Sequence, residues 1–467
     1  MMSPINITDC YTMLMKATIQ FCGGAGLVTG SNFLLNTGGK KILIDCGLVQ
    51  GADVAEKLNW EPFAYNPAEI DYLIITHAHI DHIGRIPKLV KDGFKGIIIS
   101  TDATHSLVEP LLMDAHSLLL HSAENHHLEP LYDIADITHA MALWHDTQYH
   151  KPQDLGDGIT LELFNSGHIL GSAMAKFTRG GRSVVFTGDL GGGNSPLLPL
   201  CEAVPGIDYL VMESVYGDRV RKEDVDRKQA LQDVIKRAAE RGGTLFIPAF
   251  STERTQDLLF EIRSMMHEGA IPTMPVYLDS PLAEKITAAY KAHPQYFAPE
   301  LAARVEGGED IFAFPQLHLI ENAEDSRALA KHHNPKIILA GSGMSNGGRA
   351  LSHEAHMLPD PQSTVLIVGY QAAGSLGRKL VEGATQVQIF RQPVPVHAHV
   401  EHLYGYSAHM DSEELVEFAH KAGAQINHVY VVMGEPSAAS FLAQRLHDYL
   451  GLAATTPEAG EQATIDL

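Results

Sequence analysis

The chain of 467 residues carries 34 Lys and Arg against 56 Asp and Glu, and its formal charge of −22 argues against binding polyanions or anionic membranes over the whole surface. With 45% apolar and 19% charged residues it reads as a folded, soluble protein of two or three domains, which excludes a disordered or low-complexity chain. No apolar run reaches the roughly 18–20 residues that span a bilayer, and Met1 to Asp9 lacks the basic and apolar regions of a secretory signal, so a cytoplasmic address with no membrane partner is expected.

In chain order, runs rich in Ile, Val and Leu at Lys41 to Ile44, Tyr72 to Ile75, Gly96 to Ile99, Ser183 to Phe186 and Tyr209 to Met212 read as strands. They alternate with helical periodicity, the pattern of a layered α/β architecture. Each run leads into a polar or ligand-type residue: Ile44 into Asp45, Thr76 into His77, Thr187 towards Asp189. Reactive side chains therefore fall on loops at strand ends. From Ser214 onward, amphipathic helices at Val225 to Glu240, Arg254 to His267 and Leu282 to Tyr290 separate strands at Thr244 to Ile247, Val276 to Leu278, Lys336 to Leu339 and Thr364 to Val368. That is the texture of a second α/β domain. Residues 214–390 hold 19 basic and 22 acidic side chains, so the flanks carry nearly all of the acidity.

Histidine is the unusual residue, with 26 copies. The cysteines Cys10, Cys22, Cys46 and Cys201 have no C-x-x-C spacing, which excludes a thiolate zinc site and a disulfide framework and predicts reduced thiols. The metal-competent segment is instead His77-Ala78-His79-Ile80-Asp81-His82-Ile83-Gly84, directly after a strand. Three imidazoles and a carboxylate packed so closely on one strand-to-helix loop can converge on a point, and they are the ligand types that suit Zn²⁺. Ser166-Gly167-His168-Ile169-Leu170-Gly171-Ser172 adds an imidazole in a glycine-flanked turn, Thr187-Gly188-Asp189-Leu190 a strand-end carboxylate, and Ile44-Asp45-Cys46-Gly47 another. His105, His116, His121, His126 and His127 lack tight ligand spacing and read as surface or cleft residues, as do His397, His399 and His402.

This ordered set, a strand-end Asp, H-x-H-x-D-H, a His and an Asp, resembles the metallo-β-lactamase superfamily. The resemblance implies an αββα sandwich in which His77, His79 and His168 hold one zinc, Asp81 and His82 a second, and Asp189 bridges them, with Asp45 behind the ligands. Two such ions share a hydroxide whose pKa they depress and clamp a phosphoryl centre during displacement. Further motifs resemble the β-CASP branch: Glu213-Ser214-Val215-Tyr216-Gly217-Asp218-Arg219, Ile247-Pro248-Ala249-Phe250, Asp279-Ser280-Pro281, Ser342-Gly343-Met344, Gly347-Gly348-Arg349, Gly369-Tyr370-Gln371 and Ser407-Ala408-His409-Met410-Asp411. That branch contains the endonuclease of eukaryotic pre-mRNA 3′-end cleavage and its bacterial and archaeal relatives. The implied organisation is a metallo-β-lactamase domain over 1–210 and 391–467, interrupted by a β-CASP α/β domain over 211–390.

By the same resemblance the chain is a ribonuclease that hydrolyses phosphodiester bonds of single-stranded RNA through a metal-bound hydroxide. A Glu213–His409 pair protonates the leaving 3′-oxygen, and catalysis rests on Asp45, Asp81, Glu213 and His409. Substrate phosphates would meet Ser342 and its glycines, Arg349 and Arg378 between the two domains; either arginine could equally be a structural ion pair. Two zinc ions are expected, with manganese as the alternative metal and a homodimer as the assembly to test. Endonucleolytic and 5′-to-3′ exonucleolytic attack are both compatible with the motifs. The chain is expected to lack both the C-terminal domain of one bacterial exonuclease group and the N-terminal RNA-binding extension of some archaeal relatives.

One position departs from the pattern. RNA-acting members carry a histidine before Gly-Glu that ligates the second metal; this chain has Val432-Met433-Gly434-Glu435, and a neutral thioether is a poor zinc ligand. Three readings compete: an active enzyme with a weaker second site, a metal-deficient and weakly active or inactive RNA-binding paralogue, and a nuclease for single-stranded DNA. His428 lies an odd number of residues earlier on the strand and faces the other way.

Overall fold

The computed structural model describes residues 16–51, 56–220, 226–369, 371 and 374–467; Cys10, Val225 and Tyr370 lie outside them. The chain divides into two compact units, the first running to Gly193 and continuing through Leu200–Val220 and His409–Leu467, the second comprising Asn194–Pro199 and Arg221–Ala408.

The first unit contains two seven-stranded sheets. One runs in the spatial order Gln462–Asp466, Lys16–Gly23, Asn32–Thr37, Lys40–Ile44, Tyr72–Ile74, Ile97–Thr101, Trp144–Thr147. The other runs Ala454–Thr455, His428–Val432, Tyr209–Glu213, Arg182–Phe186, Ala173–Arg179, Ile159–Asn165, Gln153–Gly156. Strand periodicity explains the layering, because alternate side chains leave opposite faces. Val184, Phe186, Tyr209, Val211, Tyr430 and Val432 point into a core shared with Phe21, Phe33, Ile42 and Ile44 of the first sheet. Their neighbours Val185, Leu210, Met212, Val429 and Val431 pack on the other side against Leu415, Phe418, Leu442 and Leu446 of the helices Ser412–Ala422 and Pro436–Leu450. With Asp102–His126 and Ile134–Ala142 beyond the first sheet, this is a sandwich of two sheets between helical layers.

The central strands of both sheets run parallel, so their carboxyl ends gather along the same edges. Asp45 follows directly on one of those ends, and His77 and Asp189 lie three residues beyond theirs.

The second unit holds a six-stranded, all-parallel sheet in the order Leu317–Leu319, Val276–Asp279, Lys336–Ala340, Thr244–Pro248, Thr364–Val368, His399–Leu403. The strands Lys336–Ala340, Thr244–Pro248 and Thr364–Val368 are buried along their whole length, as expected where helices cover both faces. His399–Leu403 pairs with Thr364–Val368, so the chain returns to the first unit at His409, after the boundary at residue 391 read from the sequence. No helix among the described residues is long and apolar enough to cross a membrane.

Phe186 sits between Phe33 and Phe177, with ring centroids 6.1 and 5.9 Å away. Phe186→Ala is expected to destabilise the first unit by about 3–5 kcal/mol in denaturant unfolding, through lost burial and an uncollapsed cavity; a change below about 1 kcal/mol would contradict this packing.

Candidate metal centre

The site begins with a backbone constraint. Cys46 N–H donates to His82 O (2.8 Å), Leu48 N–H to Ile80 O (3.0 Å) and Ser31 N–H to Asp81 O (2.9 Å), so the Asp45 loop lies flat on the histidine loop. A Cβ on Gly47 would sit 1.5 Å from Asp81 O; only glycine permits that approach. Asp45 itself has φ 56° and is buried, with its carboxylate accepting from the Ser31 hydroxyl (3.0 Å), the Thr76 amide (2.9 Å), the Thr76 hydroxyl and His82 Nδ1–H (2.7 Å). These donors compensate a buried charge that would otherwise cost several kcal/mol. They also fix His82 with Nδ1 protonated and Nε2 directed away from Asp45.

Thr76 sets a second tautomer. Its single hydroxyl proton goes to Asp45, so towards His77 Nδ1, 3.1 Å away, it accepts, and the lone pair of His77 is left on Nε2. That atom lies 3.0 Å from His79 Nδ1, which is 3.1 Å from His168 Nε2. Asp189 Oδ2 closes the group at 3.5 Å from His77 Nε2 and 3.4 Å from His168 Nε2. A tetrahedral ion with bonds near 2.0–2.1 Å requires ligand atoms roughly 3.3 Å apart, so these four atoms have the separations of a ligand set. His168 is placed by its backbone, since the amides of His168 and Ile169 both donate to Ser172 Oγ (3.0 and 3.1 Å); its Nδ1 has no hydrogen-bond partner among the described residues.

The other oxygen of Asp189 faces a different group. Asp189 Oδ1 lies 3.3 Å from His82 Nε2, which is 3.8 Å from Asp81 Oδ2. Both Asp189 Oδ1 and His82 Nε2 are buried and lack a hydrogen-bond partner among the described residues, an expensive arrangement unless a cation belongs there. The donors present therefore suit two metal positions with Asp189 common to both.

Electrostatics agree with the geometry. Burial, reinforced by neighbouring imidazoles, holds His77 and His168 well below the usual histidine range, so both are neutral and free to ligate. Burial would raise Asp189, but His82 and His77 outweigh it and keep the carboxylate ionised. Burial pushes Asp81 up to about 6.

Beside this cluster, Glu213 is fully buried at the end of its strand, accepting from the Leu190 amide (2.6 Å) and the Val215 amide (3.2 Å). His409 Nδ1 is 3.1 and 3.2 Å from its two carboxylate oxygens. The backbone bridge between Gly191 and His409, with Met410 N–H donating to Leu190 O (2.8 Å), seats the imidazole so that Nε2 comes within 4.0 Å of Asp189 Oδ2. Burial alone would lower His409; the Glu213 carboxylate overrides it and pushes His409 up to about 9.

The structure brings together nine of the residues singled out in the sequence: Asp45, His77, His79, Asp81, His82, His168, Asp189, Glu213 and His409. Ser31, Thr76 and the Leu190 amide were not anticipated; Thr76 alone had a signal, as the hydroxyl immediately before His77. The three phosphate candidates lie in the second unit. Ser342 Oγ accepts from the Asn346 amide (3.0 Å). Arg349 is engaged by the buried Asp279 carboxylate and by the carbonyls of Ile320 and Glu321 (both 2.7 Å), while Arg378 pairs with Glu382 (2.6 Å) on the surface.

Met433 follows the strand His428–Val432 with φ 49° and is buried in the inter-sheet core with Phe33, Phe186 and Val211. Its amide donates to Gly24 O (2.7 Å), and a Cβ on Gly24 would meet its sulfur at 2.4 Å. His428 is held at the opposite end of that strand by Thr455 (2.8 Å). His105 pairs with Asp146 (2.8 Å) and stacks on Trp144, a local role remote from metal ligation.

Imidazoles and carboxylates focused on one edge of a two-sheet sandwich form a candidate metal-binding site, and comparison with known families assigns the chain to the metallo-hydrolases. Residues 25–236 match the metallo-β-lactamase superfamily, 255–380 the β-CASP domain, and 393–457 the zinc-dependent metallo-hydrolase RNA specificity domain. Ribonuclease TTHA0252 of Thermus thermophilus is 35% identical over 396 residues, covering 85% of this chain and 89% of that protein. Transcription termination factor FttA of Methanosarcina mazei is 31% identical over 458 residues, covering 95% and 70%. A crystal structure of a protein of unknown function from Enterococcus faecalis shares the fold at TM-score 0.55 and 13% identity, covering 96% of this chain and all of that one. The chain belongs to the β-CASP branch of the metallo-β-lactamase superfamily.

Removing bound metal with a chelator is expected to lower Tm by several degrees, because His82 Nε2 and Asp189 Oδ1 are left buried without a hydrogen-bond partner; an unchanged Tm would contradict the ligand assignment. Asp45→Asn should weaken metal binding about 10–100-fold at the position served by His82, read as metal content at limiting metal, and leave the three-histidine position less affected.

Proposed function

We propose that this protein is a zinc-dependent ribonuclease that hydrolyses phosphodiester bonds of single-stranded RNA and leaves 5′-phosphate ends. The observation that carries the reading is the buried Glu213–His409 pair directed at the carboxylate common to both metal positions. The match to an RNA specificity domain over the segment that contains His409, and the likeness to a ribonuclease, support RNA as the substrate.

His77, His79, His168 and Asp189 would hold one zinc, and Asp81, His82 and Asp189 the other. When bound, the pair supplies Lewis acidity towards water and the phosphoryl oxygens. The chain's own residues do the rest. Asp45 keeps His82 in one tautomer, and Glu213 holds His409 protonated and oriented through Nδ1. Nε2–H of His409 is then free to deliver a proton to the departing 3′-oxygen, which otherwise leaves as an unstable alkoxide. Glu213 keeps its own geometry through two backbone amides, so the donor does not depend on substrate for its position. A second position formed by His82, Asp81 and Asp189 does not require Met433, which favours the active enzyme over the metal-deficient paralogue.

His409→Ala is expected to slow RNA cleavage about 10²–10⁴-fold while sparing hydrolysis of a nitrophenyl phosphodiester, whose leaving group needs no proton. Equal losses on both substrates would assign His409 another task. At saturating zinc the wild type should bind about two ions per chain. A stoichiometry of one, with no cleavage that Met433→His rescues, would support the RNA-binding paralogue, and equal cleavage of matched single-stranded DNA would support the DNA reading.

A further inference from the structure

In the second unit, Gln386–Ile389 and Gln392–Pro395 form a two-stranded antiparallel hairpin. Ile389 pairs directly with Gln392, which leaves a two-residue turn of Phe390 and Arg391. Their φ angles are 51° and 61°, the left-handed pair that a type I′ hairpin turn requires. Asn-Gly is the sequence such a turn selects, because side chains without local hydrogen bonding clash with the backbone there. A bulky aromatic with positive φ is a genuine outlier, and strained backbone persists chiefly where function holds it.

The side chains displayed at this tip are unusual for a solvent turn. Phe390 is 65% exposed, and its ring has no aromatic or cationic partner among the described residues. Arg391 is exposed too, and no carboxylate among the described residues lies within ion-pair distance of it. In a chain of net charge −22, residues 383–400 contain no Asp or Glu. The acids at either end of that stretch are occupied elsewhere, Glu382 by Arg378 and Glu401 by Arg237. Val387, Ile389 and Val394 are buried in the core of the unit, so the hairpin is a fixed arm.

A bare aromatic face beside an unpaired guanidinium, free of local acid, is the chemistry that holds single-stranded nucleic acid. A base stacks on the ring whatever its identity, and the guanidinium takes the neighbouring phosphate. We propose that the Phe390–Arg391 tip is an auxiliary binding point for single-stranded RNA, distinct from the metal centre and from Ser342, Arg349 and Arg378. The proposal rests on the ribonuclease reading above.

The test measures binding of a fluorescein-labelled single-stranded RNA to the full chain by anisotropy, in a His409→Ala background that slows cleavage. Phe390→Ala and Arg391→Ala should each weaken binding about tenfold, and Arg391→Ala should reduce the slope of log affinity against log salt by about 0.7. The double variant Phe390→Asn/Arg391→Gly supplies the residues the turn prefers, so it should keep or raise Tm while losing RNA affinity. Binding by all three as tight as the parent overturns the proposal and leaves the ribonuclease reading standing. Failure of the parent itself to bind RNA overturns both. A fall in Tm for the double variant overturns the strain argument, and a changed sedimentation coefficient at unchanged RNA affinity assigns the tip to a protein contact instead.

Discussion

Everything in the metal centre depends on one buried carboxylate. Asp189 presents Oδ2 to His77 and His168 and Oδ1 to His82, with both oxygens shielded from water. A carboxylate in that position is tolerable only when positive charge surrounds it. The imidazoles of His77 and His168 are themselves kept neutral by burial. With no metal bound, Asp189, Asp45 and Asp81 hold His82 charged against its own burial and so supply part of the balance; a cation at His82 Nε2 would displace that proton and take over its charge.

The fold makes this affordable by distributing the work among loops that the sheets hold rigid. The Asp45 loop is fastened to the histidine loop by a ladder of backbone hydrogen bonds, and a Cβ on Gly191 would sit 1.9 Å from Gly167 O, so the Asp189 loop lies equally close to the His168 turn. Three layers of contact follow: backbone against backbone, Asp45 and Thr76 behind the imidazoles, and the imidazole nitrogens in front. The same bridge from Gly191 seats His409, which couples the proposed proton donor to the Asp189 loop through main chain. Precision of this kind is what separates a site that binds metal from one that positions a reaction.

Much of the centre was legible in the sequence because its residues are dense or adjoin strand ends. His77, His79, Asp81 and His82 announce themselves by spacing, and Asp45 and Asp189 by following apolar runs. His168, Glu213 and His409 became meaningful only through family resemblance, since a lone histidine or glutamate has no local signature. Ser31 and the Leu190 amide were invisible, because their roles arise from contacts across 14 and 23 residues of chain. The strands were legible through their Ile, Val and Leu runs, yet the return to the first unit was not, because His399–Leu403 carries two histidines and a glutamate and is only half buried. The turn at Phe390–Arg391 escaped for the converse reason: it lacks the residues by which hairpin turns are recognised.

Anomalous diffraction from crystals grown with zinc tests the central claim most directly. Two peaks about 3.5–4 Å apart, each within bonding distance of a different oxygen of Asp189, are the expected result. A single peak at the three histidines, or a second peak that does not touch Asp189, would contradict the account.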